Sequence, residues 1–244
     1  MTAAALPLGQ SGPVIPDFGR GDDCIRNNGK FCFNWFVDNF DQRFLPRVGE
    51  HLKMTAIAIV LGFIIAFVAA LIAHRHERFE LPFANIASLF YTIPSIAFFQ
   101  IMVPITGIGW TSIEIALVSY TLLILFRNIL TGLREVPDDV KEAANGMGLT
   151  RRQTLWRVEL PLAMPAIVAG LRVATVTTIS LATIAAFITP LGLGAPIFNA
   201  IQSGANTEFV GASLLSIGLA LLADALIVLV QRLVSPWTRA RRTT

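Results

Sequence analysis

The residue types with the most chemistry in this 244-residue chain gather in one stretch, EAANGMGLTRRQTLWRVELP, at positions 142–161. Glu142, Arg151, Arg152 and Arg157 alternate there with glycines and a tryptophan, between long apolar runs on either side. The guanidinium groups suit water or acidic partners. Elsewhere the reactive types do not converge. His51, His74 and His76 are not spaced with cysteines or acids as metal ligands. No Ser-His-Asp grouping suggests hydrolysis, and Gly192 and Gly194 lack the Lys-Ser/Thr that follows a phosphate-binding loop. The expectation is a chain with no catalytic residue, metal site or cofactor of its own. Two further charges, Arg172 and Asp224, stand alone inside apolar runs, where an ionised group is costly and pairs or faces a water-filled cavity.

The elements that must carry these residues follow from composition. Hydrophobic residues make up 54% of the chain and charged residues 14%, whereas soluble domains carry about a quarter charged residues. A bilayer span needs roughly 20 mostly apolar residues. Five runs meet that need: 54–73, 84–105 with Pro94 inside, 113–130, 162–188 with Arg172, and 210–234 with Asp224. Each reads as a helix, because a lone segment in lipid must satisfy its own backbone hydrogen bonds. The fold class expected is an all-α polytopic membrane protein with five transmembrane helices.

Basic flanks set its orientation. Arg75 and Arg78, the stretch from Arg127 to Arg157, and Arg232 with Arg239, Arg241 and Arg242 alternate so as to share one side. The two opposite loops, near 107–112 and 189–209, hold no Lys or Arg. This places the N-terminus outside and the C-terminus inside. The net charge of +3 is then a topology signal and does not point to nucleic acid. The start, MTAAALPLGQSGP, lacks the basic and apolar regions of a cleavable signal. The domains expected are an outer tail over 1–50, a membrane domain over 51–234 with a long inner loop at 135–161, and a basic inner tail at 235–244. Aromatics recurring over 31–52 suggest an amphipathic helix on the outer surface. The only cysteines, Cys24 and Cys32, fall in that tail, either as a disulfide favoured outside the cell or as two free thiols.

Local signals divide the inner loop. Pro137 and the aspartates after it start a short helix, with Asp139 and Glu142 spaced as a capping box. Gly146 and Gly148 end it. Thr150 opens a second, amphipathic helix with Gln153 as its box partner, and Pro161 lets the fourth span begin. Leu155 and Val158 can face the body of the protein, with Trp156 between them and a partner. In the second span Pro94, flanked by Thr92 and Ser95, removes a hydrogen bond and kinks the helix, either as packing or as a gate. Phe98, Phe99 and Met102 are candidates for apolar constrictions, or else core and lipid-facing residues. Among Thr175, Thr177, Thr178, Ser180 and Thr183, some hydroxyls are expected to bond between helices and others to line a path. Arg172 and Asp224 each lie about ten residues from the inner end of their spans, roughly 15 Å deep at about 1.5 Å per residue. The matched depth predicts a pair; the alternative is an Arg172 that snorkels to the headgroups and a wet or protonated Asp224.

The spacing Glu142-Ala143-Ala144, then Gly148, then Val158 and Leu160-Pro161 resembles the EAA loop of ABC importer permeases, with Val158 in place of that family's Ile. LFYTIPSIAFF at 89–99, LFRNILTGL at 125–133 and LRVATVTTISLATIAAFITPLGLGAPIF at 171–198 resemble permeases of quaternary-amine importers for glycine betaine, carnitine or choline. Thr189-Pro190 departs from the small residues common before that Gly-Leu-Gly. The resemblance covers about 50–234. It implies a MetI-like type I permease fold in the bacterial cell membrane. The loop, with Arg151, Arg152 and Trp156, would be the coupling element that docks a separate ATPase. It further implies that ATP and Mg sit on that ATP-binding subunit dimer, that a second permease copy or paralogue completes the path, and that an outer solute-binding protein delivers the cargo. An amino-acid importer is the alternative within the class, and a stand-alone channel or ion-coupled transporter is the alternative outside it.

Overall fold

The computed structural model describes residues 23–234; the expectations for residues 1–22 and for the 235–244 tail lie outside them. The described residues form helices α1 (Asp23–Arg26), α2 (Phe33–Asp38), α3 (Leu45–Arg75), α4 (Glu77–Thr92), α5 (Ser95–Thr106), α6 (Trp110–Arg134), α7 (Asp138–Gly146), α8 (Arg151–Thr154), α9 (Leu160–Ala185), α10 (Gly194–Ser203) and α11 (Asn206–Val234). Two π-helical turns, Phe40–Phe44 and Leu155–Glu159, lead into α3 and α9.

Four helical stretches are long and apolar enough to cross a membrane: Phe40–Arg75, Trp110–Arg134, Arg151–Ala185 and Asn206–Leu233. The fifth candidate crossing is broken: α4 and α5 meet at 102°. The expected kink at Pro94 is thus a full interruption. Ile93 is extended (φ −66°, ψ 129°), as the residue before a proline prefers, and Pro94 offers no N–H to continue the helix. The Tyr120 hydroxyl of α6 donates to the freed Ile93 carbonyl, so the break stays satisfied in an apolar setting.

Small residues decide how closely the main helices approach. Ala58, Ala66, Ala69, Ala70 and Ala73 are the buried face of α3. A Cβ at Gly62 would stand 1.8 Å from Thr121 Oγ1 of α6. Where α9 crosses α6, a Cβ at Gly170 would meet Asn128 at 2.5 Å and one at Gly132 would meet Ala166 at 2.8 Å. Small-residue seams of this kind let helices gain packing contact where lipid offers no hydrophobic drive. Two apolar clusters result. One joins Ala70, Phe126, Ile129, Leu133, Leu155 and Ile167 near the end that carries α7 and α8, called here the basic end. The other joins Met54, Phe98, Phe99, Ile113, Leu117 and Ala182 toward the opposite, corner end. Helix α11 packs on α9 and leaves Leu214, Leu221, Leu222, Leu226, Leu229 and Leu233 exposed.

Two sequence readings are corrected. The 31–52 run is not one surface helix: α2 and the π turn form a compact aromatic knot, Phe44 is fully buried, and from Leu45 the chain already belongs to α3. A Cβ at Gly211 would strike the Phe36 ring at 2.7 Å, so the knot rests on α11. The hydroxyls of α9 do not tie helices together. Thr175, Thr178, Ser180 and Thr183 donate to the carbonyls of Leu171, Ala174, Val176 and Ile179, each one turn back in α9. That local bond is always within reach of a helical Ser or Thr and removes the need for a distant partner.

Candidate functional site

At the basic end, residues 138–159 stand away from the bundle. Helix α7 buries only Ala144. It begins after Pro137 with no side-chain cap, so the Asp139–Glu142 box does not form; Asp138 instead accepts from Lys141 Nζ at 3.0 Å. Gly148 closes the helix. Its φ of +83° lies in the left-handed region, where a Cβ is strained, and its N–H donates to the Asn145 carbonyl while the Leu149 N–H donates to that of Ala144. Thr150 then caps α8. The Gln153 N–H donates to Thr150 Oγ1 and the Thr150 N–H to Gln153 Oε1, a complete capping box.

From Thr154 the chain turns back to the body. Leu155 and Glu159 are buried, Val158 is half-buried, and Trp156 and Arg157 face out. Trp156, 52% exposed, rests one edge against Phe67 at 6.4 Å. Leu160 is buried and Pro161 occupies the first turn of α9. One polar bond joins this segment to α3: His74 Nε2–H donates to Glu159 Oε2 at 2.6 Å. Glu142, Ala143, Met147, Gly148, Arg151 and Arg152 are left exposed. Such an arrangement presents a polar, projecting knob on the surface of the bundle.

Apart from the Cys24–Cys32 pair, the corner end is built from residues to which the sequence reading gave no role. His51 is fully buried. It accepts the Leu193 N–H at Nδ1 (3.3 Å) and, as its Nε2–H tautomer, donates to the Ile179 carbonyl at 3.1 Å. Glu50 accepts the Gly192 N–H at 3.0 Å, and Arg47 donates to both Glu50 and the Pro190 carbonyl at 2.9 Å. Three residues of α3 thus grip the 190–193 loop. Only the glycine spacing of that loop hints at this, since a Cβ at Gly192 would collide with His51 at 2.8 Å. Beside it, Cys24 and Cys32 form a disulfide. The loop between them holds Asn28, whose side chain donates to the Gly204 carbonyl at 2.7 Å and accepts the Asn206 N–H at 3.1 Å. The Cys32 N–H donates to Thr207 Oγ1 at 3.0 Å.

The path candidates separate. Thr92 and Pro94 are exposed at the break, Ser95 and Met102 are half-buried, and Phe98, Phe99 and Thr178 are buried in the core. A cleft of about 370 Å³ opens between α9, α10 and α11, with Ser180, Thr183, Ser213 and Ser216 on otherwise aliphatic walls. Below it, Arg172 Nε and Nη2 donate to the two carboxylate oxygens of Asp224 at 2.7 and 2.9 Å. This fork-to-fork geometry joins α9 to α11 and pairs the two charges directly.

The described residues thus form a bundle of apolar helices with one projecting, glycine-hinged knob. Over residues 58–240 the chain matches the family described as the binding-protein-dependent transport system inner membrane component, and it belongs to that family. It is a multi-pass membrane protein of the ABC permease class. It is 31% identical over 201 residues to the glycine betaine/carnitine/choline transport system permease protein of Bacillus subtilis, covering 82% of this chain and 93% of that one. To the osmoprotectant import permease protein of Salmonella typhimurium it is 35% identical over 192 residues, covering 77% and 89%. In solved structures the fold is shared with an inward-facing form of the MetNI methionine ABC transporter, with TM-score 0.69, 22% identity, and 83% and 97% of the two chains covered.

Proposed function

We propose that this chain is the permease subunit of an ATP-driven importer for a small quaternary amine such as glycine betaine, choline or carnitine. The observation that carries the reading is the exposed knob at 138–159, tied to α3 by the His74–Glu159 bond and hinged at Gly148. Its basic surroundings support an inner location, with the C-terminus inside and the disulfide corner outside. An ATPase dimer holding ATP and Mg seats on the exposed Glu142 and Ala143 and on the arginines of α8. A second permease copy or paralogue closes the path against the α9–α11 side, and a solute-binding protein meets the corner end. The hydroxyl cleft suits a zwitterion or cation in transit, because hydroxyl dipoles solvate charge without holding it as an ion pair would. Relatives named for osmoprotectants at 30–35% identity over most of the chain support the cargo class.

Reconstitution of the full chain with its ATPase and binding protein in vesicles provides the check. Uptake of labelled betaine or choline is expected only with ATP inside the compartment that bears the knob. Uptake without ATP would replace this reading with a stand-alone channel or ion-coupled carrier. Uptake of amino acids alone would keep the class and change the cargo.

A further inference from the structure

The Arg172–Asp224 pair lies in the same groove as the hydroxyl cleft. Along α9, Arg172 stands seven and eleven positions before Ile179 and Thr183, which line one wall of the cleft. Along α11, Asp224 stands eleven and seven positions after Ser213 and Ile217, which line the other. Steps of seven and eleven residues are close to two and three whole helical turns, so on both helices the charged residue shares the face that forms the wall. Ala220 and Leu221 line the cleft too, and Asp224 follows Ala220 by one turn, about 6 Å along the axis. The ion pair is therefore the floor of the cleft.

A bond that only locked two helices would sit in their packed seam. These two side chains instead stay 39% and 33% exposed on the isolated chain. Both belong to helical stretches long and apolar enough to cross a membrane, and ionised groups in such stretches face one another or a water-filled cavity rather than lipid. The Arg172 fork holds the Asp224 carboxylate through Nε and Nη2, and any other carboxylate offers the fork the same two oxygens. A zwitterion with a quaternary ammonium carries both complementary charges. Its carboxylate can replace Asp224 on Arg172. Its ammonium has no N–H to satisfy and can lie against the released Asp224 by charge alone. Each charge then exchanges one opposite partner for another, and no lone ion is left in the apolar groove. We propose that Arg172 and Asp224 form a transient exchange site for a zwitterionic cargo, and that the pair favours solutes with a carboxylate beside the quaternary nitrogen. The inference rests on the importer reading and adds a choice within its cargo class, betaine and carnitine over choline, which has no carboxylate.

ATP-driven uptake of labelled glycine betaine and of labelled choline tests the site, in vesicles that hold the full chain with its ATPase and binding protein. The binding protein is the same in every arm, so a change in the ratio of the two solutes arises in this chain and does not depend on folded yield. Arg172→Lys keeps the ion pair and loses the planar fork; it should lower betaine uptake about threefold and leave choline uptake near the parent value. Arg172→Gln combined with Asp224→Asn leaves no lone charge, and betaine uptake per folded chain should fall about tenfold. Betaine uptake at the parent rate in that double variant would make the pair a lock between helices and overturn the site. An equal change in both solutes with Arg172→Lys would overturn it as well. A parent protein that imports choline but not betaine would overturn the site and leave the importer reading standing, whereas a parent that imports neither would remove that reading and the site with it.

Discussion

At the basic end, one side-chain bond from His74 to Glu159 ties residues 138–159 to α3, and Met147, Gly148 and Trp156 remain exposed. At the corner end, the 190–193 loop is held through Glu50, His51 and Arg47, and the turn between α10 and α11 is held through Asn28, Thr207 and a disulfide. Both ends are loop-rich, yet their backbone polar groups are satisfied differently. The basic end uses bonds local to its own short helices: a capping box and a glycine turn. The corner end uses bonds between residues more than a hundred positions apart. A segment that satisfies itself locally can move as a unit without exposing orphaned groups to lipid. A corner held by distant residues cannot, and its separation would break several bonds together. The difference fits the proposed roles: a basic end that can shift against a partner, and a corner that stays fixed.

The comparison breaks most visibly at Gly148. Nothing lies within 4 Å of a Cβ there, so a side chain has room and only the backbone conformation resists it. A left-handed non-glycine residue costs roughly 1–2 kcal/mol, enough to displace the knob from its seated form about five- to thirtyfold. Gly148→Trp is expected to lower ATP-driven uptake in vesicles by about that factor while the melting temperature of the chain changes little. Unaltered coupled uptake would remove Gly148 from the joint.

Gly194 is the matching position at the corner, and the expected loss there is of stability. Its Cβ would stand 2.0 Å from the Thr183 carbonyl oxygen, a backbone atom that cannot rotate away. Gly194→Ala should cost about 1–3 kcal/mol by overpacking. Gly49→Ala, in α3 with open space around it, should be neutral or stabilising by about 1 kcal/mol. Thermal unfolding in detergent separates the two.

The disulfide sharpens the contrast further. Cys24 and Cys32 are 8 positions apart, and chain-entropy arguments give a loop of that size about 2.5 kcal/mol. Replacing both by serine is expected to raise hydrogen exchange at the amides of residues 204–207 and to leave residues 138–159 unchanged. Asn28→Ala removes two of the bonds to that turn and should act in the same direction by about 1 kcal/mol. Faster exchange at the basic end would show that the two ends are not independent.

The Arg172–Asp224 pair lies between the ends and gives the smallest predicted effect, since each side chain is about one-third exposed on the isolated chain. Arg172→Met or Asp224→Leu alone leaves an unpaired charge in lipid, and each should lower folded yield by roughly a few-fold. The combined variant should recover part of that loss, because no lone charge remains. Additive losses in quantitative membrane yields would argue that the two side chains act separately.

Much of this architecture follows from local sequence. A run of twenty apolar residues can satisfy its backbone in lipid only as a helix, so the membrane class and the five apolar segments are legible without any long-range contact. The Thr150–Gln153 box and the glycine turn before it are equally local, because each closes within five positions of chain. Even the Arg172–Asp224 pairing is within reach, as depth in a bilayer is counted along each helix. Other features are not local. Pro94 announces a disturbance, but the 102° angle depends on Tyr120 being placed to take the Ile93 carbonyl. Asp139 and Glu142 have the right spacing for a box, yet the helix begins two residues earlier, after Pro137. The hydroxyls of α9 face a choice between a distant helix and their own backbone, and only packing distances decide it. His51 and Gly192 carry no pattern that joins them across 141 positions of chain. Their contact exists because α3 packs on α6, and α6 on α9, through glycine seams close enough to bring one imidazole under one glycine loop. Hydropathy and capping are properties of neighbours along the chain, whereas close approach is a property of two surfaces that must first find each other.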